Sequence, residues 1–418
     1  MTPVPDLLAD LEARGLIQDT TDREALAERL AAGPMTLYCG FDPTADSLHV
    51  GNLIGVLMLR RFADAGHESI GLAGGATGMI GDPSGKSEER NLLDAETLER
   101  NLAGIGAQLA GIAGVELVDN GEWTKPMSFL AFLRDVGKYV TVNQMVAKES
   151  VKARMEGETG ISFTEFSYML IQSHDYLHLH RTRGVDLQIG GSDQWGNITL
   201  GADLIRKVTG DHVHALTWPL LLRSDGRKFG KSEAGNVWLG AHRTSPYQFF
   251  QYWMQLPDAD IERFLLQLTL LPVEEAEAVA ATHAEAPHQR EGQRRLAREV
   301  TTLVHGTDAA GAAEAASAIL FGGDPREASA ESLAFVADEV PTTGIERSRL
   351  HAGIDLIDLL VEAGVFTSKG EARRTLNGVA VNSERVTEGR TLGATDLLHD
   401  RWILLRKGKT YQLVEASG

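Results

Sequence analysis

The sequence predicts an α/β protein with a doubly wound parallel sheet, followed by an all-α domain and a small α+β domain. Between about residues 35 and 228, short apolar runs alternate with helical patterns, which is typical of βαβ units. From 246 to 321 the pattern is helical and rich in Ala, Glu and Leu. The length of 418 residues allows two or three domains with hydrophobic cores of their own.

The first part of the chain reads as strands separated by helices. The apolar runs are MTLYCGF, SIGLAGG, VELVDN, VDLQIGG and ALTWPLLL. Between the first two lies the helical pattern HVGNLIGVLMLRRFADAG. Ligands of such sheets bind outside the carboxyl ends of the strands, where the Gly- and Asp-rich loops 42–47, 74–86 and 190–196 would lie. We therefore expect a Rossmann-like domain over residues 1–245 with a binding site at this edge.

The rest of the chain divides into three predicted segments. Residues 246–321 form a helical domain, 322–350 form a linker with Pro, Gly and Ser, and 351–418 form a small C-terminal domain. In the last segment, Ser368 and Glu371 predict a capping box that starts the helix SKGEARRTLNG. A hairpin, VAVNSERV, follows that helix.

Composition and charge limit the class of protein. A net charge of −18 argues against nucleic-acid binding by the chain as a whole, because neutralising phosphates needs Lys and Arg. From Lys369 onward, however, nine basic residues face six acidic ones, so RNA binding there is a hypothesis beside that of a solvated surface helix. A single Cys and the absence of long apolar runs predict a cytoplasmic protein that does not contact membranes.

A helix start after the first long strand is the first candidate for chemistry. Asp46 or Ser47 is predicted to cap a helix whose first turn holds His49, Gly51 and Asn52. Unpaired N–H groups, the positive end of the helix and two side-chain donors there suit an anion. For this motif alone, a capped helix with a surface histidine is the alternative interpretation.

The second candidate is the loop KFGKS, residues 228–232. Two lysines flank a glycine in a polar loop, which suits a mobile clamp for a polyphosphate, although a basic surface loop is the alternative. Together, an H-x-G motif after the first strand and a K-x-x-K-S loop after the last resemble the paired signatures of class I aminoacyl-tRNA synthetases. The pair is far more specific than either motif.

The resemblance narrows to the bacterial tyrosyl-tRNA synthetases. YCGFDPTADSLHVGN, GGATGMIGDPSGK, YMLIQSHD, QIGGSDQWGN and KFGKS stand in the order and approximate spacing found in that family. GIDLIDLLVEAGVFTSKGEARRTLNG looks like an RNA-binding domain shared with a ribosomal protein. Asn52 departs from the general signature, which has a second His there, and Phe229 and Gly230 replace the general Met and Ser, a variant that this subfamily also uses.

The resemblance implies a tyrosine–tRNA ligase that joins L-tyrosine to tRNA(Tyr) through tyrosyl-adenylate, with ATP and its Mg²⁺ as substrate. It also implies a homodimer, a helical domain that contacts tRNA, no tightly bound cofactor and no protein metal site. The implied catalytic residues are His49, Asn52, Lys228, Lys231, Ser232, Lys86 and Arg90. The implied tyrosine-binding residues are Tyr38, Asp82, Tyr168, Gln172, Asp175 and Gln194. The implied ATP-binding residues are Cys39, Gly40, Asp42, His49, Gly51, Asn52, Gly191, Asp193, Lys228 and Lys231, and the RNA-binding ones are Lys369, Arg373 and Arg374.

The same resemblance divides the tyrosine site into two ends. It gives the phenol to Tyr38 and Asp175, and the ammonium group to Asp82, Tyr168 and Gln172. Tyr168, Gln172 and Asp175 stand at i, i+4 and i+7, so a helix would place them on one stripe. Without the resemblance, a partly polar surface stripe would be the preferred interpretation.

The remaining candidates are Gln194, Asp193 and Cys39, which the resemblance places near the substrates, and the pair His174 and His178. The resemblance gives Gln194 the carboxylate end of tyrosine and gives Asp193 with Cys39 the ribose, whereas a small buried hydrophobe is the alternative for Cys39. His174 and His178 stand one helical turn apart, as in some zinc sites. No metal is predicted, because no matching Glu or cysteine accompanies them.

Three rival functions share some of these sequence features. A tryptophanyl synthetase shares the fold and the clamp, but Tyr38 with Asp175 and the C-terminal RNA domain argue against it. A small nucleotidylyltransferase also uses an H-x-G helix start, but such proteins are shorter and lack the basic C-terminal domain. A non-catalytic RNA-binding relic would be expected to have broken signatures, and both signatures are complete here.

Overall fold

The computed structural model describes residues 6–82, 94–156, 160–224, 229–232 and 235–417. The chain forms two compact units, one of Met1–Thr244 with Gln255–Leu296 and one of Ser245–Met254 with Ala297–Gly418. No helix within the described ranges is long and apolar enough to cross a membrane.

A six-stranded sheet organises the first unit. Its strands are β1 (Asp19–Thr20), β2 (Thr36–Phe41), β3 (Glu68–Ala73), β4 (Glu116–Asp119), β5 (Val185–Gly191) and β6 (His214–Trp218). They lie in the order β1-β6-β5-β2-β3-β4, and all neighbours are parallel except β1 and β6. The chain winds outward from β2 on one side and from β5 on the other, which opens a crevice between these strands. The prediction of a doubly wound, mostly parallel sheet is confirmed.

Helices connect these strands. They are α1 (Leu7–Ala13), α2 (Arg23–Ala31), α3 (Val50–Asp64), α4 (Ala95–Ala113), α5 (Gly121–Thr124), α6 (Phe129–Asp135), α7 (Val142–Val146), α8 (Glu149–Met155), α9 (Phe163–Arg183) and α10 (Trp195–Thr209). A short hairpin of β7 (Lys231–Ser232) and β8 (Gly235–Asn236) follows β6.

Two of these helices position the crevice. All residues of α3 from Leu53 to Leu59 are buried, because α3 lies between the sheet and α4. Helix α9 begins at a capping box of Ser162 and Glu165 and ends at Gly184, whose φ of 65° is the left-handed conformation that favours glycine. Both helices are therefore fixed at their ends as well as along their apolar faces.

The chain beyond Thr244 is mainly helical as far as Glu339. Its helices are α11 (Pro246–Met254), α12 (Ile261–Leu268), α13 (Val273–Glu285), α14 (Glu291–His305), α15 (Thr307–Leu320) and α16 (Ala330–Glu339). Helices α12 and α13 belong to the first unit, α11, α15 and α16 belong to the second, and the division falls within α14. The predicted segment 246–321 is thus helical as expected but is shared between two units, and the domain boundaries stay a prediction.

The segment 322–350, predicted to be a linker, contains regular structure. It holds α16, strand β9 (Thr342–Glu346) and the start of α17 (Arg347–Ala352). The sequence of β9, TTGIE, does not predict a strand, because it has a single apolar residue and therefore no alternation. In the structure that residue, Ile345, is the one buried residue of the strand. The strand forms through tertiary pairing with the last strand of the chain.

A small α+β domain ends the chain. Its remaining elements are β10 (Ile354–Asp355), α18 (Leu356–Glu362), α19 (Lys369–Thr375), β11 (Val379–Val381), β12 (Glu384–Arg385), β13 (Thr391–Leu392), β14 (Trp402–Lys407) and β15 (Thr410–Ser417). Five strands form a sheet in the order β12-β11-β14-β15-β9. The buried apolar cluster of this domain draws on residues between 345 and 416, which gives the domain a core of its own.

Two local predictions for this domain have different outcomes. The hairpin of β11 and β12 is confirmed, and Asn382 and Ser383 adopt positive φ angles of 48° and 68°, as a two-residue hairpin turn requires. The capping box is only half formed. Ser368 accepts the N–H of Glu371 at 3.2 Å, but the Glu371 carboxylate accepts the N–H of Thr367 instead of that of Ser368.

Candidate active site

A cavity of about 470 Å³ lies at the carboxyl ends of β2 and β5, where the winding of the sheet reverses. The predicted tyrosine- and ATP-binding residues whose side chains the structure describes all line it. They are Tyr38, Cys39, Gly40, Asp42, His49, Gly51, Asn52, Asp82, Tyr168, Gln172, Asp175, Gly191, Asp193 and Gln194. The structure thus brings together residues that are up to 156 positions apart (from 38 to 194) in one pocket.

The remaining predicted residues lie outside this description. Lys86, Arg90 and Lys228 are not among the described residues. The backbone of Lys231 and Ser232 forms β7, but the structure does not describe their side chains. Their roles stay predictions.

Tyr38 and Asp175 form the buried polar end of the cavity. The Asp175 side chain accepts a hydrogen bond of 2.8 Å from Trp123 Nε1 at Oδ1 and one of 2.9 Å from Asn120 Nδ2 at Oδ2. The ring of Tyr38 contacts that of Tyr176 edge to face, with centroids 5.5 Å apart. No residue in the described ranges hydrogen-bonds the Tyr38 hydroxyl, which is fully buried. A buried hydroxyl and a buried carboxylate therefore face a pocket that can receive a polar ligand group.

Burial controls the protonation of both groups. Burial raises the pKa of Asp175 to about 7, while the hydrogen bonds from Asn120 and Trp123 lower it and the nearby Asp119 raises it. Burial and the charge of Asp175 hold the pKa of Tyr38 well above its ordinary value. At neutral pH, Tyr38 is therefore a hydroxyl donor, and Asp175 is poised between the acid and the carboxylate.

A chain of amides connects the other walls of the cavity. Gln194 Nε2 donates to Asp82 Oδ2 at 2.7 Å, and Gln172 Nε2 donates to Gln194 Oε1 at 3.3 Å. Asn197 Nδ2 in turn donates to Gln172 Oε1 at 3.1 Å. These bonds orient each amide. The Asp82 carboxylate, the Tyr168 hydroxyl and the amide oxygens of Gln172 and Gln194 are acceptors that line one cavity. Such a set suits a cationic group such as an ammonium.

The helix start at His49 differs from the prediction. Neither Asp46 nor Ser47 caps α3. His49 is the N-cap, and its Nδ1 accepts the N–H of Gly51 at 3.1 Å while the His49 N–H goes to Asn52 Oδ1 at 3.1 Å. The prediction is wrong because an imidazole nitrogen can accept as a carboxylate or hydroxyl does. A Cβ at position 51 would lie 2.8 Å from His49 Cε1, so Gly51 is needed for this cap.

This cap determines which backbone groups at the helix start are already hydrogen-bonded. Val50 N–H donates to Val237 O at 2.9 Å and Gly51 N–H to His49, so these two backbone groups are engaged, contrary to the expectation of unpaired N–H groups. Because His49 Nδ1 is an acceptor, the proton of the neutral ring is on Nε2. Because Asn52 Oδ1 is an acceptor, its NH₂ group points the other way. Side-chain donors rather than backbone N–H groups thus characterise this helix start.

Cys39 lies within β2 and lines the same cavity. Burial raises the pKa of its thiol to about 12, so the sulfur is protonated at neutral pH. Its Sγ lies 3.9 Å from the Gly40 carbonyl oxygen, a contact for a weak donor. Cys39 is therefore a neutral lining group and not a nucleophile.

The residues on either side of the hairpin of β7 and β8 reach the start of α3 through their backbone. Gly230 has a φ of 81°, and a Cβ there would lie 3.1 Å from Val50 Cγ2 and 3.2 Å from Gly51 N. Val237 N–H donates to Gly230 O at 2.9 Å, and Val237 O accepts from Val50. The two sequence signatures therefore meet at α3.

Two residues that support Asp175 were missed by the sequence analysis. Asn120 directly follows β4, so the rule that ligand-binding loops follow parallel strands could have indicated it. Its amide also accepts from Ala76 N at 2.7 Å and donates to Thr77 Oγ1 at 2.9 Å. Trp123 lies within α5, where nothing in the local pattern points to a site.

The histidine pair on α9 has an aromatic environment. The His178 ring stacks on Trp123 with centroids 4.4 Å apart, and His174 contacts Phe132 edge to face. Burial lowers the pKa of His174 to about 4, so this ring is neutral. Among the described residues, no group of three or more His, Cys, Asp or Glu is placed to hold a metal ion.

The predicted RNA-binding residues lie in the C-terminal domain. Lys369, Arg373 and Arg374 are exposed on α19. Lys369 Nζ forms an ion pair of 2.7 Å with Asp358 of α18. Their contact with RNA stays a prediction.

Comparisons with known proteins cover almost the whole chain. A family model described as tRNA synthetases class I (W and Y) matches residues 30–322, and one described as Tyrosine--tRNA ligase SYY-like C-terminal domain matches 332–414. The chain is 52% identical to the tyrosine–tRNA ligase of Opitutus terrae, over 98% of this chain and 99% of that protein. It is 49% identical to the one from Porphyromonas gingivalis, over 98% and 99%. Its fold is similar to that of a C-terminally truncated mitochondrial tyrosyl-tRNA synthetase from Aspergillus nidulans, with a TM-score of 0.69, 30% identity, and coverage of 76% of this chain and 94% of that one.

Proposed function

The chain belongs to the tyrosine–tRNA ligase family of class I aminoacyl-tRNA synthetases, and we propose that its cavity activates L-tyrosine with ATP for transfer to tRNA(Tyr). First, a tyrosine carboxylate oxygen attacks the α-phosphorus of ATP, the bond to the bridging oxygen of the β-phosphate breaks, and pyrophosphate leaves. Then a ribose hydroxyl oxygen at the 3′ end of tRNA attacks the tyrosyl carbonyl carbon and its proton is released to solvent. The bond between that carbon and the phosphate oxygen breaks, and AMP leaves. A tryptophanyl function is not favoured, because the relatives and the C-terminal model are of the tyrosine type.

The pair of Tyr38 and Asp175 is the observation that carries this proposal. The substrate phenol accepts a hydrogen bond from the Tyr38 hydroxyl and donates its own O–H to the Asp175 carboxylate. Phenylalanine would leave both buried groups without a partner, which is costly, and tyrosine selection is itself a standard example of this rule. A ring with a single hydroxyl group therefore fits the buried end.

The acceptor set around Asp82 holds the amino-acid end. Its carboxylate, the Tyr168 hydroxyl and Gln172 Oε1 receive the ammonium group of the substrate. Gln194, which donates to Asp82 at 2.7 Å, lies toward the substrate carboxylate. The substrate carboxylate is ionised at neutral pH, so the first step needs no general base.

Catalysis of the first step then rests on positioning and on charge stabilisation. His49 Nε2–H and the Asn52 amide donate to the phosphates at the start of α3. Lys228, Lys231, Ser232, Lys86 and Arg90 add donors by family resemblance and stabilise the departing pyrophosphate. Cys39 and Asp193 contact the ribose, while Gly40, Asp42, Gly51 and Gly191 line the nucleotide.

Mg²⁺ enters with ATP. No carboxylate cage stands ready for it in the described part of the chain. Mg²⁺ commonly binds through substrate phosphates and keeps several waters, so bridging of ATP phosphates is sufficient.

Exposed apolar side chains on α6 and α9 contact a second copy of the chain. Helices α6 to α9 expose Phe129 at 66%, Leu130 at 77% and Phe163 at 70%. An exposed apolar surface of this kind is typical of protein interfaces. Phe163→Asp should convert the dimer to monomers in sedimentation equilibrium, whereas Phe321→Asp, which alters a residue 82% exposed in the second unit, should leave it dimeric. A dimeric Phe163→Asp protein would contradict a dimer contact at Phe163.

The exposed cations of α19 bind tRNA. Lys369, Arg373 and Arg374 suit phosphate contacts, which position an RNA without reading its bases. Such contacts weaken as salt rises.

Amino-acid-dependent ATP–pyrophosphate exchange tests the function without tRNA. The full chain is assayed with tyrosine, tryptophan and phenylalanine in parallel. Exchange with tyrosine alone is the expected result. Exchange with tryptophan would overturn the roles of Tyr38 and Asp175, and no exchange with any of the three would favour a non-catalytic RNA-binding protein.

A further inference from the structure

We propose that Trp238 and Arg243 are positioning residues for His49 in adenylate formation. They belong to residues 237–244, a segment that we call the strap, which lies along the residues before α3. The inference rests on the proposed function, since it concerns the same phosphate site. No residue of the strap is among those that line the cavity, so we expect its substitution to affect adenylate formation and not tyrosine binding.

The backbone of the strap is bonded to the helix start on both sides of His49. Leu239 N–H donates to Leu48 O at 2.8 Å, and Val50 N–H donates to Val237 O at 2.9 Å. His49 and Trp238 form the antiparallel bridge between these bonds. The N–H of the first residue of α3 is thus satisfied by the strap and not by a local side chain, so the strap fixes where the helix begins.

A series of side-chain contacts, which we call the ladder, reinforces this attachment of the strap to the helix start. The His49 and Trp238 rings meet edge to face, with centroids 6.0 Å apart and an interplanar angle of 63°. The Arg243 guanidinium lies 4.8 Å from the Trp238 ring centroid, and Arg243 Nε donates to the Asp46 carboxylate. Asp46 precedes His49 by three residues, so the ladder starts and ends on the same loop. Gly240 N–H adds a bond of 2.9 Å to Ser47 Oγ.

These contacts hold the His49 imidazole from two directions. Its Nδ1 is held by the Gly51 N–H, and one edge is flanked by Trp238. The ring therefore has one orientation, in which Nε2–H keeps its place at the cavity wall. A misplacement of about 1 Å of a catalytic group costs roughly a hundredfold in rate, so a side chain that fixes this orientation affects the chemical step.

The strap also connects His49 with the KFGKS segment. Val237 bonds through its N–H to Gly230 O and through its carbonyl to Val50 N, both at 2.9 Å. Gly230 in turn lies against Val50 and Gly51. Val237, which precedes Trp238, therefore connects the KFGKS segment directly to the start of α3.

The test compares Trp238→Leu and Trp238→Phe in tyrosine-dependent pyrophosphate exchange, with equilibrium binding of tyrosine measured in the absence of ATP. Trp238→Leu should lower kcat by about tenfold to a hundredfold and change the tyrosine dissociation constant by less than about twofold. Trp238→Phe restores a ring edge to His49 and should recover kcat to within about threefold of the parent chain.

A second variant, Arg243→Gln, tests the same proposal if the Trp238→Leu protein does not fold. Arg243→Gln changes a side chain that is 37% exposed and should lower kcat by about threefold to tenfold. Its matched control is Arg401→Gln in the C-terminal domain, where Arg401 likewise lies over an aromatic ring, Trp402, at 4.6 Å and pairs with a carboxylate, Glu415. The control should leave exchange unchanged.

Three results would overturn the proposal. They are an unchanged kcat in Arg243→Gln, a parallel loss of kcat and tyrosine binding in Trp238→Leu, and a failure of Trp238→Phe to recover kcat. Failure of the proposed function is a separate observation, because the unaltered chain would then show no tyrosine-dependent exchange at all.

Discussion

The indole Nε1 of Trp123 donates a hydrogen bond of 2.8 Å to Asp175 Oδ1. Asn120 occupies the other carboxylate oxygen at 2.9 Å, and His178 stacks on the indole. Each oxygen of Asp175 keeps further acceptor capacity for a substrate hydroxyl. Neither Trp123 nor Asn120 lines the cavity, so the residues that orient the Asp175 carboxylate lie behind the cavity wall.

Replacing Asp175 by asparagine should weaken tyrosine selection. Trp123 and Asn120 both donate to position 175, so an amide there would turn its NH₂ group toward one of these donors. A buried donor without an acceptor costs about 1–3 kcal/mol, and we expect kcat/KM for tyrosine to fall by about tenfold to a hundredfold relative to that for phenylalanine. The measurement is pyrophosphate exchange with both amino acids. Asp211→Asn is the control at a surface site, and unchanged selectivity in Asp175→Asn would remove Asp175 from the pocket.

The pH profile of tyrosine activation should have an acidic limb that belongs to Asp175. Burial raises its pKa to about 7, and below that pH the group is protonated and cannot accept the phenol proton as a carboxylate does. We expect kcat/KM for tyrosine to fall by about tenfold per pH unit below this value. The same raised pKa means that ionising Asp175 costs stability, so its contribution to the free energy of unfolding declines as pH rises toward 7. A profile of Asp175→Asn with the same limb would assign it to another group.

Trp123→Phe should move that limb to higher pH. The substitution removes the Nε1–H donor, one of the hydrogen bonds that lower the pKa of Asp175, while a ring remains to stack on His178. The profile of kcat/KM for tyrosine should therefore shift upward, and selectivity against phenylalanine should fall at pH 7. Trp402→Phe, in the C-terminal domain, is the matched control. A shift toward lower pH would be the opposite of what the hydrogen bond predicts.

Gly230→Ala should slow adenylate formation without altering tyrosine binding. A Cβ there would press on Val50 Cγ2 at 3.1 Å and on Gly51 N at 3.2 Å, and would separate the clamp segment from α3. Gly210→Ala controls for backbone strain, because its φ of 87° is close to the 81° of Gly230 and no atom lies within 4 Å of its Cβ position. We expect both variants to lose about 1 kcal/mol of stability, but only Gly230→Ala to lower kcat in pyrophosphate exchange. Equal kcat in the two variants would contradict the docking of Gly230 on the helix start.

Much of the site was predictable because it follows from chain order and periodicity. The polar residues after β2 and β5 meet because parallel strands end at one edge, and Tyr168, Gln172 and Asp175 face the cavity together because helical spacing puts them on one stripe. The family motifs then gave these positions their chemistry. No contact had to be known for either step.

The residues that were missed depend on contacts that no local pattern contains. Trp123 reaches Asp175 across 52 positions, and its neighbours in α5 carry no site signal. His49 caps α3 although helix caps favour Ser, Thr, Asp and Asn, because Gly51 and Asn52 complete the geometry. Strand β9 forms only when β15 is beside it. In each case tertiary structure decides what local sequence leaves open.

Truncation after Val340 should separate activation from transfer. The cut falls before β9, so it removes the whole of the C-terminal sheet and the buried cluster between residues 345 and 416. Pyrophosphate exchange with tyrosine should stay within about twofold of that of the full chain, since every cavity residue lies before the cut. Charging of tRNA should fall by about tenfold or more, because the exposed cations of α19 are lost. In the full chain, Arg373→Glu with Arg374→Glu should also lower charging and flatten its salt dependence. Normal charging by the truncated chain would show that RNA is bound elsewhere, whereas a loss of exchange would show that the activation site depends on the removed domain.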